Sequence, residues 1–144
     1  DRKKVRDIAG GVVANYASTP YASFAALSAA RASFDEGDLT EAKARLTWVV
    51  ENARREELRD VARLRLAGVL LDEKGYEEAL KVLDTKPADS MNALYPDLRG
   101  DILLAQGKHA EARNAYQLAL DRTEAGSSYR ATVQHKLDTL GEPK

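Results

Sequence analysis

The chain has 144 residues, about one domain by the usual length prior. Its 22 basic and 23 acidic side chains leave a formal net charge of −1, which argues against a protein built to grip nucleic-acid phosphates. Charged residues at 31% and apolar ones at 44% make a globular mixture, and the absence of cysteine excludes disulfides, thiolate-held zinc, iron–sulfur clusters and thiol nucleophiles.

The chain carries 24 alanines but only two phenylalanines and one tryptophan, a composition that favours helices in close approach. An opening helix is expected over 3–17, with Val5, Ile8, Ala9, Val12, Val13 and Tyr16 on its apolar face. Gly10-Gly11 inside it marks either a close helix contact or a hinge. Thr19-Pro20 then reads as an N-cap followed by proline at the first helical position. Helices are expected over 20–36 and 39–53, the second opened by Asp38 with Glu41 at capping-box spacing. The next pair covers 57–73 and 76–84 and ends in a loop, Thr85 to Ser90. A third pair covers 91–106 and 109–123, with Ser90 as a candidate cap and Pro96 as a kink or a restart. A last helix over 128–140 carries Tyr129, Val133, Leu137 and Leu140 on one side and charges on the other.

Three segments share one pattern. Each ends in Glu-Ala, at Ala42, Ala79 and Ala112, spaced 37 and 33 residues apart. Twelve residues before each anchor stands a small residue: Ala30, Ala67 and Gly100. Three before stand Leu39, Tyr76 and His109, and four after stand Leu46, Leu83 and Tyr116. Small side chains facing large ones at fixed spacing describe two antiparallel helices packed closely at one point. A lone hairpin of that kind cannot bury both faces, so neighbouring hairpins must stack.

The pattern resembles the tetratricopeptide repeat, a helix–turn–helix unit of about 34 residues. It departs from that repeat at Ala26, Arg63 and Pro96, where the family prefers tryptophan, and at Pro87, which shortens the second hairpin. The expected fold is therefore all-α: one domain over 1–144, a tetratricopeptide-like hairpin stack of about three degenerate repeats. An extra helix precedes the stack and a capping helix closes it.

Three longer strings narrow the resemblance. They are Tyr21-Ala22-Ser23-Phe24-Ala25-Ala26-Leu27, Ala62-Arg63-Leu64-Arg65-Leu66-Ala67, and the run from Leu98-Arg99-Gly100-Asp101 through Gln106-Gly107 to Leu120. With Lys136-Leu137 they are similar, in order and spacing, to the YfgM-type ancillary subunits of the SecYEG translocon. That resemblance implies a non-enzymatic, periplasmic protein-interaction domain, anchored in the bacterial inner membrane by a helix outside this sequence. Its implied partners are the SecYEG translocon and periplasmic chaperones such as PpiD, with no cofactor. A generic repeat scaffold, in the cytoplasm or in another envelope complex, is the alternative. The sequence opens Asp1-Arg2-Lys3-Lys4 without methionine, as a piece of a longer protein would, and it contains no apolar run of 18 residues and no signal-peptide pattern.

Residues suited to chemistry are few. His109 is expected to pack and His135 to be solvated; the acidic pairs Asp35-Glu36, Asp72-Glu73 and Glu77-Glu78 read as solvated turn charges. No histidines stand four residues apart as zinc ligands would, and Gly10-Gly11 lacks the spacing of a phosphate loop. The arginines from Arg54 to Arg65 are interleaved with Glu56, Glu57 and Asp60. An enzymatic alternative would have to use Arg31, Asp97 and Asp101.

The tetratricopeptide register projects nine residues onto a concave face: Leu27, Arg31, Phe34, Leu64, Gly68, Leu71, Asp97, Asp101 and Leu104. The set lacks the lysine and asparagine constellation that clamps a C-terminal carboxylate. Capture of a chaperone's acidic tail is therefore not expected, and an apolar helix or extended segment is the expected occupant. Packing of Phe34, Leu71 and Leu104 against the next hairpin is the competing reading. A monomer is expected; a dimer would arise if the opening helix swapped between copies.

Overall fold

The computed structural model describes residues 2–16 and 19–141, with side chains described over 2–11 and 19–141. The described residues form eight α-helices and no strand. They are α1 (Arg2–Tyr16), α2 (Pro20–Asp35), α3 (Leu39–Asn52), α4 (Glu56–Asp72), α5 (Tyr76–Val82), α6 (Leu94–Ala105), α7 (His109–Asp121) and α8 (Ser128–Leu140). The chain divides into two compact units, residues 1–69 and 70–144. In the first, α1 packs on α2 and α2 on α3; in the second, α5 packs on α6, α6 on α7 and α7 on α8.

The α2–α3 and α6–α7 hairpins close through small side chains, as the spacing predicts. Ala30 and Ala67 are buried, and the anchors Ala42, Ala79 and Ala112 have no exposed surface. Leu46, Leu83 and Tyr116, four residues past the anchors, are buried as well. Gly100 shows why its position must be small: a Cβ there would sit 2.5 Å from the ring of Tyr116. The second unit's core gathers Leu103, Tyr116, Leu120, Val133 and Leu137 around Ala112, Ala115 and Ala119.

One turn recurs three times. The residue five before each anchor adopts a left-handed backbone: Gly37 (φ 83°), Lys74 (φ 64°) and Gly107 (φ 79°). Each lets the next amide reach back five residues, Asp38 to the Ser33 carbonyl, Gly75 to Leu70 and Lys108 to Leu103, at 2.8–2.9 Å. This is the Schellman termination, which satisfies carbonyls that a helix end leaves unpaired. Asp38 then caps α3 by accepting from the Glu41 amide at 3.0 Å. The reciprocal half of a capping box is absent, because the Glu41 carboxylate turns instead to Arg45 at 2.8 Å.

Several expectations need correction. α1 leaves Ile8 68% exposed and Val5 exposed, because its contact with α2 is made through small residues such as the buried Ala9. The side chains of Val12, Val13 and Tyr16 lie outside the described residues. Gly10-Gly11 is not a site of unusually close contact, and α1 runs through it without interruption. A Cβ on Gly10 would meet only Arg45 at an ordinary 3.8 Å, and one on Gly11 meets no described atom within 4 Å. Of the two readings of Pro96, the restart holds: it stands in the first turn of α6, where its missing N–H costs nothing, and it does not kink the helix. Ser90 does not cap α6; it lies in a separate 3₁₀ turn, Asp89–Met91. His109 is exposed rather than packed, since its side chain leaves the α6–α7 contact at the very start of α7.

Lys74 carries the strain that glycine relieves in the other two turns. Lys74→Gly is expected to raise stability by about 0.5–1 kcal/mol, read as a higher midpoint in urea or heat unfolding. A lower midpoint would show that the Lys74 side chain contributes more than its backbone costs.

Candidate functional site

Within the first unit, α2, α3 and α4 enclose an open cavity of about 350 Å³. Its apolar lining is Ala30, Leu46 and Val69, and its rim carries Arg31, Phe34 and Asp35 from α2 with Arg65 and Gly68 from α4. The structure thus brings three of the projected residues, Arg31, Phe34 and Gly68, to one place. Tyr21, Phe24, Ser28 and Arg31 follow one another at helical spacing on the exposed side of α2. Tyr21 is 73% exposed, Phe24 48% and Phe34 41%, so both phenylalanines of the chain stand at the surface of one helix.

The projected residues of α6 lie elsewhere, within the second unit. Asp97 is buried and accepts from Lys136 Nζ at 2.9 Å and from the Tyr129 hydroxyl at 2.5 Å. Asp101 accepts from the same Nζ at 3.1 Å and from the Tyr116 hydroxyl at 2.6 Å. The Lys136 ammonium also stands 5.7 Å from the centroid of the Tyr116 ring. α8 therefore lies on the residues that the register assigned to a groove, and Leu104 packs against the same core. This network ties α8 down; it is a closed set of partners and not an open site.

Of the remaining projected residues, Leu27 is 7% exposed and belongs to the core, while Leu64 and Leu71 are half-buried. Arg31 lies in the first unit and the Asp97–Asp101 network in the second. The acidic pairs are exposed, as is His135. Glu36 is also engaged, at 3.0 Å from Arg6, which ties α1 to the α2–α3 turn. Sequence reasoning missed Arg65, which lies outside the projected register, and Lys136, whose isolated position on the last helix gives no sign of two carboxylates waiting on α6.

The Asp97–Asp101 network is pH-sensitive in the alkaline range. Burial, then the hydrogen bond to Asp101 and the charges of Asp101 and Asp97, push the Tyr116 hydroxyl far above its ordinary 10.0. Burial and Asp97 do the same to Tyr129. For Lys136, burial lowers the pKa, but the bond to Asp97 and the charge of Asp101 outweigh it, and the ammonium titrates above its ordinary 10.5. All three groups hold their proton more tightly folded than unfolded. Their contribution to stability is complete below about pH 10 and is lost as pH rises through the folded values. Urea midpoints are expected to fall steeply above about pH 10, with Tyr116 and Tyr129 the late-titrating component of the tyrosinate absorbance. Asp97→Asn should cost about 2 kcal/mol at neutral pH and expose the amides of α8 to hydrogen exchange. An unchanged exchange rate in α8 would contradict its attachment through this network.

Among the described residues no helix is long and apolar enough to cross a membrane, and no three acidic or histidine side chains are grouped to share a metal ion. The family model for the tetratricopeptide repeat-like domain matches residues 1–142. The chain is 35% identical over 126 residues to the ancillary SecYEG translocon subunit of Neisseria gonorrhoeae, covering 88% of this chain and 60% of that protein. It is 32% identical over 120 residues to the subunit of the same name in Escherichia coli, covering 83% and 58%. For the Haemophilus influenzae subunit the identity is 31% over 119 residues, again covering 83% and 58%. The chain thus spans about three fifths of the length of these relatives. With its three Schellman-ended hairpins and its model match along nearly the whole sequence, the chain belongs to the tetratricopeptide repeat-like domain family and is similar to ancillary SecYEG translocon subunits.

Proposed function

We propose that this chain is the folded, non-enzymatic docking part of an inner-membrane protein that associates with the SecYEG translocon. It works on the periplasmic side and links the translocon to periplasmic chaperones, PpiD among them. The names of the relatives support the translocon association. The observation that carries a docking role is the exposed aromatic stripe of α2. A chain with two phenylalanines places both outside its core, together with Tyr21, on one helix. Exposed aromatic side chains beside a pocket are what protein interfaces use as anchors. Of the three residues an enzymatic alternative would use, Asp97 and Asp101 are held by Lys136, Tyr116 and Tyr129, which supports the non-enzymatic reading.

Co-purification tests the proposal. The full-length protein, solubilised from its own membranes, is expected to retain SecYEG components and a periplasmic chaperone. The double variant Tyr21→Ala, Phe24→Ala should retain several-fold less of one or both while keeping its helix content, because both side chains are exposed. Absence of SecYEG components from the wild-type complex would overturn the proposal.

A further inference from the structure

The pocket of the first unit has three features that packing does not explain. Gly68 stands in the middle of α4, where glycine costs about 1 kcal/mol relative to alanine. At Gly100 that cost has a packing reason, the ring of Tyr116; at Gly68 an added Cβ meets no atom of the described residues within 4 Å. The space it leaves lies on the rim of the 350 Å³ cavity. Phe34 faces the same cavity and is 41% exposed, whereas Leu71 and Leu104, at the equivalent repeat position, are half-buried.

The third feature is charge. Arg31 and Arg65 stand exposed on the rim, and neither makes an ion pair or hydrogen bond among the described residues. By contrast, Arg6, Arg45 and Arg63 each pair with a carboxylate of their own unit. Among the described lining residues Asp35 is the one acidic side chain against Arg31 and Arg65, so they make the mouth of the pocket net positive on a chain whose net charge is −1. The lack of a lysine–asparagine clamp in the register argues against capture of a chaperone's acidic tail. Arg65, which the register leaves out, supplies the second cation.

We propose that this pocket binds an acidic polypeptide segment: one bulky apolar side chain enters the space beside Gly68 and stacks on Phe34, and flanking carboxylates pair with Arg31 and Arg65. The cavity is at the small end of ligand-binding volumes, which suits one anchor side chain rather than a whole helix face. Guanidinium groups pair with carboxylates through two parallel hydrogen bonds, so a pair of arginines astride an apolar slot reads both charge and spacing. A basic segment would meet repulsion at the same rim. This inference rests on the docking reading and names the chemistry of the docked segment.

Two short fluorescein-labelled peptides test it on this chain by anisotropy. Both carry a central Phe-Leu pair, flanked by glutamates in one and by lysines in the other. The acidic peptide is expected to bind saturably and at least tenfold more tightly than the basic one, with the preference shrinking as salt rises. Arg31→Glu with Arg65→Glu should abolish or reverse the preference. Gly68→Leu should keep helix content and lose saturable binding; if it misfolds, the arginine pair decides, since both residues are exposed. Equal affinity for the two peptides, no saturable binding of the acidic one, or an unchanged preference in the arginine variant would overturn the inference. Failure here with SecYEG still co-purifying would leave the docking reading standing, whereas loss of both would remove it.

Discussion

Helices in this protein meet through side chains of one carbon or none, and that constraint decides which residues enter the core and which stay at the surface. Where the α6–α7 hairpin closes, Gly100 lies against the ring of Tyr116 with no room for a methyl group. In the first unit, Ala30 and Ala42 are buried where α2 meets α3. Alanines supply half of the buried apolar residues described, and leucines, valines, Ile102, Tyr95 and Tyr116 fill the space between them. Tyr116 enters the core only because Gly100 gives way to it. Phe24, Phe34 and Tyr21 find no such vacancy and remain at the surface of α2.

Both units pair most of their buried and half-buried charges, but the pocket rim of the first does not. In the second, carboxylates on α6 find a lysine on α8 and two tyrosine hydroxyls, and every member of the group is partnered inside the fold. A half-buried network of that kind specifies where the last helix sits, and each of its charged members is engaged within the fold. In the first unit the arginines on the pocket rim have no such partner among the described residues. Polar groups satisfied within the chain hold structure, and those left open beside an apolar slot are available to something else.

Most of the helical framework was legible in the sequence because each boundary has a local cause. Glycine or proline marks the breaks, Asp38 caps, and the Glu-Ala anchors recur at a spacing close to the family's repeat length. The turn geometry was only partly legible: the glycine of the second turn is Gly75, yet the left-handed residue is Lys74, one place earlier. Register arithmetic shows which residues share a position and does not show what covers them. Leu27 proved to be core, and Asp97, Asp101 and Leu104 lie beneath α8, because a capping helix occupies the place where a further hairpin would stack. The pocket was beyond reach for another reason. It depends on an unfilled volume beside Gly68 and on Arg65 reaching the same rim as Arg31, and neither leaves a periodic trace.

A double-mutant cycle at the α6–α7 contact tests the close approach of the helices most directly. Repeat positions that hold alanine and leucine at Ala30 and Leu46, and at Ala67 and Leu83, hold Gly100 and Tyr116 in the third hairpin. Gly100→Ala alone should destabilise by about 1–3 kcal/mol through overpacking, although alanine is the better helix former. In the Tyr116→Leu background the same substitution should cost nothing or stabilise, giving a coupling of about 1 kcal/mol or more in urea unfolding. Additive effects, or a Gly100→Ala variant as stable as the parent, would contradict the claim that close approach through small side chains builds this fold.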